Sequence, residues 1–194
     1  MIDSFKPEFF IHLAATFERT RESKDFWDLN FTHNVKLSHH LMSVLKDCVS
    51  LKKVTFASSY LIYKSDLYKN LTPLQNPKLL NESCEIDPRN LTGMAKLSHE
   101  CELNFIKNHY ADKFKIVIAR IYRGYGLGSR DVISRWIRAL LKNESILTFG
   151  EESLFDYIYS KDTAEGIIRI IDSNIEGIVN LGSGKARSVN DVIN

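Results

Sequence analysis

The chain has 194 residues, 44% of them hydrophobic and 11% aromatic, and its 26 Lys and Arg stand against 24 Asp and Glu for a net charge of +2. That is apolar material for one well-filled core or a domain and a half, and the interspersed charges form no block that would recruit nucleic acid or a membrane surface. Cys48, Cys84 and Cys101, without CxxC spacing, argue against a disulfide framework or a zinc site and for a reducing, cytoplasmic setting, and neither an export signal nor a membrane-spanning apolar run is visible.

Phe9 to Ala15 is a short apolar run without alternation, the pattern of a parallel strand covered on both faces, and Lys6-Pro7-Glu8 before it reads as a loop. After a charged stretch from Glu18 to Lys24, the residues Phe26, Leu29, Val35, Leu37, Leu41, Val44 and Leu45 recur at helical spacing and predict a helix across one face of a sheet. Lys53 to Ser59 is the next strand, ending in two hydroxyls where a doubly wound sheet places its ligands. Tyr63 to Leu91 holds Pro73, Pro77 and Pro88 and reads as a long surface excursion.

Thr92 to Asn108 returns to helical spacing, with Met94, Leu97, Cys101, Phe105 and Ile106 as the expected buried stripe. Lys115 to Ile121 is a third strand, followed by the flexible Gly124-Tyr125-Gly126-Leu127-Gly128. A helix at Asp131 to Leu141, strands near Ile146 to Phe149 and Tyr157 to Tyr159, a helix at Asp162 to Ile171 and a strand at Gly177 to Leu181 follow. Ser188 reads as the N-cap of a last helix within which the chain stops, so further chain is expected beyond it. Strands alternating with helices give an α/β fold.

Several motifs in this order resemble the extended short-chain dehydrogenase/reductases, the NAD(P)-dependent sugar-nucleotide epimerases and dehydratases. They are Ile11-His12-Leu13-Ala14-Ala15, Asn30 on the first helix, Ser59 four residues before Tyr63, Pro88 and Gly93 ahead of Lys96, Phe155-Asp156-Tyr157-Ile158-Tyr159 with Asp162, and Asn180-Leu181-Gly182-Ser183-Gly184. The resemblance implies a partial Rossmann-type parallel sheet with flanking helices, plus part of a small C-terminal substrate-binding subdomain. It divides the chain into a dinucleotide-binding part at 1–128, lacking the glycine-rich βαβ front, and a substrate part at 129–194.

By that resemblance, Leu13, Ala14, Ala15, Ser58 and Lys96 face an NAD or NADP cofactor. Ser59, Thr92, Lys96 and Asn30 hold the catalytic positions, and Ser59, Tyr60 and Arg123 meet a nucleotide-sugar substrate; no metal is implied. Asn30 also reads as a helix residue satisfying local backbone, His12 as a packed core histidine, and His33, His39 and His40 as a solvated helix face.

Three departures stand out. The family's tyrosine, four residues before the lysine, is here Thr92, and an aliphatic hydroxyl is a far poorer acid or base near neutrality than a phenol of pKa ~10. Tyr60 and Tyr63 are substitutes for it, or ordinary wall residues. The first glycine of the chain is Gly93, so no glycine-rich turn stands ahead of the first helix to take a pyrophosphate. Arg123 stands where relatives carry asparagine and Phe155 where they carry arginine. Either Arg123 restores the charge missing at 155 against a pyrophosphate, or it is a surface arginine beside Arg130 and Arg135.

The expected function is an NAD(P)-dependent epimerase, dehydratase or reductase of a nucleotide sugar, impaired in this form. The alternative is a non-catalytic nucleotide-sugar-binding or partner subunit. Without its front, the strand at Phe9 becomes an apolar sheet edge, for which a homo-oligomer or a complementing N-terminal chain is the expected cover.

Overall fold

The apolar runs become strands wherever a parallel partner is available. In chain order the elements are α1 (Ile2–Phe5), β1 (Phe9–His12), α2 (Lys24–Asn30), α3 (Leu37–Leu45), β2 (Lys53–Ser59), α4 (Leu91–His109), β3 (Lys115–Ile121), β4 (Arg123–Tyr125), α5 (Val132–Leu141), β5 (Phe155–Tyr159), α6 (Ser160–Asp172), β6 (Gly177–Leu181), β7 (Ala186–Arg187) and α7 (Val189–Ile193). The computed structural model describes residues 2–18, 22–68, 77–110, 113–148 and 153–194; Phe149, Pro73 and part of the charged stretch before α2 lie outside them.

Four strands form one parallel sheet in the order β1-β2-β3-β6, and β4, β5 and β7 form a smaller second sheet. The first sheet crosses the expected division at residue 128, because β6 follows the whole of the second sheet's β4 and β5 and then returns beside β3. Polar caps fix the helix starts. Ser23 accepts from Phe26 N, Asn90 from Gly93 N, Asp131 from Ser134 N, and Ser188 from Asp191 N in a reciprocal capping box.

Helices α3 and α4 cover one face of the large sheet. Met42, Leu45, Val54, Phe56, Leu103 and Ile118 form the core there, each side chain of that size contributing about 1.5–3 kcal/mol when fully buried. On the other face α6 packs Ile170 against Val117 and Ala119. The lysine that opens β2, Lys53, is buried, and its ammonium donates to the carbonyls of Ile170, Ile171 and Ser173 at 2.8, 2.9 and 2.5 Å. It thereby closes the C-terminus of α6, whose last carbonyls have no helical partner.

The expected helix from Phe26 to Leu45 is one rod with a π-helical middle at Phe31–Lys36, where Leu37 N reaches back to Thr32 O. Such one-turn widenings recur near functional sites. The strand expected to Ala15 ends at His12, where the chain leaves β2 although β2 runs on to Ser59; the Ala57 carbonyl is taken by Lys96, and the backbone of Thr16 is held by Asn34. Of the strand expected near Ile146 to Phe149, the described residues 146–148 have no regular structure, and Phe149 lies outside the described residues.

The stripe of α4 is also corrected. Met94, Cys101 and Phe105 are exposed, Leu97 is half-buried, and of the five only Ile106 is buried. The buried face is Thr92, Gly93, Ala95, His99, Glu100, Leu103 and Ile106, a stripe partly built of polar groups that find partners inside. Among the described residues no helix is long and apolar enough to cross a membrane.

Among the described residues β1 is an edge strand of the large sheet. Phe9 and Ile11 on it, and Leu13 just beyond its end, remain 47%, 38% and 59% exposed.

Candidate active site

The C-terminal ends of parallel strands leave backbone groups and side chains free for ligands, and β1, β2, β3 and β6 all point theirs the same way. At the end of β2, Ser59 accepts from Leu61 N at 3.2 Å and caps the short 3₁₀ turn Tyr60–Ile62. The first turns of α4 lie directly against this segment. A Cβ on Gly93 would come within 2.9 Å of the Leu61 carbonyl oxygen, so only glycine permits the approach.

One helical turn on, the Lys96 ammonium donates to the Ala57 carbonyl at 2.5 Å and lies 5.1 Å from the centre of the Phe56 ring. Burial pulls its pKa down to about 8, only partly opposed by Glu100. Ser59, Thr92 and Lys96 are thus brought to one strand end and one helix start, with no hydrogen bond between Ser59 and Lys96 among the described residues. Thr92 is buried, and its hydroxyl has no hydrogen-bond partner among the described residues.

The loop after β1 is held from the π turn. Asn34 donates to Thr16 O at 2.8 Å and accepts from Thr16 N at 2.7 Å, and it also donates to the Asn30 side chain at 2.8 Å. Asn30 is therefore buried and oriented by Asn34, while Leu13, Ala14 and Ala15 stay exposed at the mouth of β1. His12 is a packed core residue, with Nε2 at 2.8 Å from Ser38 Oγ; burial, then His99 and Lys96, push its pKa down to about 4. His39 is exposed and contacts Glu102 at 2.5 Å. No group of three potential metal ligands converges among the described residues.

Ser58 points away from Ser59's surroundings, into a buried network. Its hydroxyl donates to Glu100, which also receives Arg120 Nε at 3.2 Å and Nη2 at 2.8 Å. Arg120 Nη1 reaches Tyr63 Oη and Glu82 O, both at 3.1 Å, and Tyr63 Oη donates to Asn180 Oδ1 at 2.7 Å. The Tyr63 phenol is pushed up by burial and fully engaged, so it does not replace the missing tyrosine. The sequence reading missed this pair, although an arginine inside the apolar run Lys115 to Ile121 and a glutamate four residues after Lys96 are its signature. It also missed Glu22, whose carboxylate accepts from Leu91 N at 2.8 Å and Thr92 N at 3.4 Å and so closes the start of α4.

Beside these elements opens a cavity of about 210 Å³, walled by Tyr60, Tyr68, Lys78, Tyr122, Arg123 and Phe155 among others. The Arg123 guanidinium lies 3.5 Å from the Phe155 ring centre, and its Nε donates to Tyr60 Oη at 3.1 Å. Arg123 and Phe155 are therefore linked, and the guanidinium is in a cavity wall instead of on an open basic loop. Asp156 accepts from Ser183 N at 2.8 Å and Gly184 N at 2.9 Å, which ties β5 to the loop after β6. A Cβ on Gly182 would meet Asp156 Oδ2 at 2.6 Å, which accounts for the glycine in that stretch.

The sequence model of the NAD dependent epimerase/dehydratase family matches residues 1–182. A Methanocaldococcus jannaschii protein provisionally named UDP-glucose 4-epimerase is 30% identical over 119 residues, 58% of this chain and 38% of the relative. Among solved structures, the UDP-N-acetylglucosamine 4-epimerase of Methanobrevibacter ruminantium, in complex with UDP-N-acetylmuramic acid, superimposes with a TM-score of 0.76 at 27% identity, over 94% of this chain and 57% of that one. The UDP-glucuronic acid 4-epimerase of Bacillus cereus, in complex with NAD, shares the fold with a TM-score of 0.76 at 24% identity, over 95% and 56%. The chain thus spans well under two-thirds of these proteins' lengths.

Proposed function

Because the chain belongs to the NAD dependent epimerase/dehydratase family, we propose that it binds a nucleotide sugar in the cavity walled by Tyr60, Lys78, Arg123 and Phe155 and acts on it as an NAD(P)-dependent epimerase, dehydratase or reductase. The observation that carries this reading is Arg123, whose guanidinium lies 3.5 Å from the Phe155 ring centre in the cavity wall, a planar cation of the kind that suits a diphosphate. Lys78 adds a second cation to the same wall.

Lys96 and the exposed Leu13-Ala14-Ala15 fit the ribose and nicotinamide end of a dinucleotide at the ends of β1 and β2. Residues 1–194 contain no glycine-rich turn to match its pyrophosphate, so the fit is to one half of the cofactor. When bound, that cofactor supplies a hydride acceptor for a sugar carbon. The chain's own part is to hold ribose hydroxyls with Lys96, to present Ser59 to the sugar, and to keep Asn30 buried beside them. Thr92 lowers activity, because no phenol stands at the proton-transfer position.

A second reading, a nucleotide-sugar-binding or partner subunit without catalysis, is favoured by one observation. The Thr92 hydroxyl is unpartnered, and both nearby phenols, Tyr60 and Tyr63, are engaged by arginines. The exposed β1 edge is where we place a further strand, from a second copy or a complementing chain; a monodisperse monomer with a cooperative melt would exclude that assignment. Three free thiols suit a cytoplasmic setting.

Calorimetric titration separates the readings. The enzyme reading expects binding of both a UDP-sugar and NAD(H) or NADP(H), and the binding reading expects the UDP-sugar alone. Absence of any UDP-sugar binding refutes both.

A further inference from the structure

We propose that Tyr68 is a ligand-reading residue of this cavity, its hydroxyl donating a hydrogen bond to an oxygen of the bound nucleotide sugar. The inference rests on the cavity being the nucleotide-sugar site.

Tyr68 is 6% exposed and lines the cavity. Its ring is fixed on two sides, edge to face with Tyr60 at 5.2 Å between centroids and 5.8 Å from the Arg89 guanidinium carbon. It belongs to the cluster of Tyr60, Ile62 and Tyr63 behind the end of β2. Three of the neighbouring phenols have partners, while Tyr157, whose hydroxyl also lacks one among the described residues, does not line the cavity. Tyr60 Oη receives Arg123, Tyr63 Oη lies between Arg120 and Asn180, and Tyr122 Oη donates to Leu80 O at 2.9 Å. Among the described residues the Tyr68 hydroxyl has none, and of the cavity-lining phenols Tyr60, Tyr68 and Tyr122 it is the one left without.

A buried hydroxyl without a partner loses its hydration and regains nothing, and phenylalanine would pack the same ring without that loss. The hydroxyl is therefore a cost to the empty chain. The residue lines the cavity with its hydroxyl just inside the wall, so a small shift of the ring on ligand entry would give the group the partner it lacks. Burial holds the phenol pKa up to about 12, so near neutrality the group remains an O–H donor and matches an acceptor oxygen on phosphate, carbonyl or sugar.

The test is Tyr68→Phe in the full chain, read by thermal melting without ligand and by calorimetric titration with UDP-glucose and, separately, UDP. The expected result has opposite signs. The ligand-free variant melts at or above the wild-type temperature, while affinity for UDP-glucose falls about tenfold, the loss of one hydrogen bond to the ligand. A fall with UDP-glucose alone supports the proposal with the acceptor on the glycosyl half; a fall with both supports it with the acceptor on the UDP half. Undiminished affinity of the variant, with wild type binding, overturns the proposal and leaves the site reading standing, as does a variant melting well below wild type, which would reveal a structural partner for the hydroxyl. Failure of the wild-type chain itself to bind either probe removes the site reading, and the proposal with it.

Discussion

Replacing Glu100 by leucine removes one half of the pair that joins α4 to β3. Glu100 and Arg120 are 2% and 1% exposed, so no water replaces the lost carboxylate. Two of the guanidinium's four contacts disappear, those of Nε and Nη2, and Ser58 loses its acceptor; Tyr63 Oη and Glu82 O remain on Nη1. Breaking a buried pair from one side leaves an uncompensated charge and costs about 3–5 kcal/mol, against a total stability of roughly 5–15 kcal/mol. At roughly 2–4 °C per kcal/mol for a chain of this size, the melting temperature falls by about 6–20 °C. Replacing both partners with Glu100→Leu and Arg120→Met removes the stranded charge, and the double variant recovers most of the loss. Urea unfolding of the single and double variants decides the matter. A loss under about 1 kcal/mol in Glu100→Leu, or a double variant no more stable than the single, would refute the reasoning.

Lys53→Met strips the last turn of α6 of a charged donor to three carbonyls and should cost about 1–3 kcal/mol, with faster amide exchange confined to residues 168–173; unchanged exchange there would show that the ammonium is not the cap. His12 makes stability fall in mild acid. Its native pKa is pushed down to about 4 by burial and by His99 and Lys96, below the ordinary 6.5, so between these values the unfolded chain binds the extra proton. The effect is nil above pH 6.5 and grows to about 3 kcal/mol as pH falls through 4. His99, also pushed down by burial, adds to the same slope, so melting of His12→Gln across pH 4 to 7 should show a shallower slope, not a flat one. An identical slope would mean that His12 is not neutral in the fold.

Much of the fold was legible because hydrophobic pattern and strand pairing agree. Lys53 to Ser59, Lys115 to Ile121 and Gly177 to Leu181 form strands with the bounds that their apolar runs suggest, since each finds a parallel partner along its length. Where the pattern was ambiguous, pairing decided. Leu13 to Ala15 looks like strand yet turns away from β2, drawn off by the Asn34 contacts to Thr16, and Ile146 to Thr148 looks like strand yet has no regular structure. Helix α4 failed differently. Its buried face carries His99 and Glu100 while Met94 and Phe105 face out, so a hydrophobic stripe points to the wrong side. Only long-range partners, Arg120 and Ser58 for Glu100, make that burial affordable, and such partners lie outside any local window.

The site divides along the same line. Ser59, Thr92 and Lys96 could be placed together because strand end and helix start are local features, whereas the lone hydroxyl of Tyr68 depends on which distant groups fail to reach it. Arg123 lies between these cases. Sequence showed a charge gained at 123 and one lost at 155, but it could not show that the two positions touch. The guanidinium lies 3.5 Å from the Phe155 ring centre, so the two positions are in contact. A planar cation is held on an aromatic face without being neutralised, so the cavity wall keeps its positive charge. A carboxylate at 155 would have held the arginine as firmly and cancelled the charge that a diphosphate needs, which is why the aromatic partner points to a ligand and a salt bridge there would not.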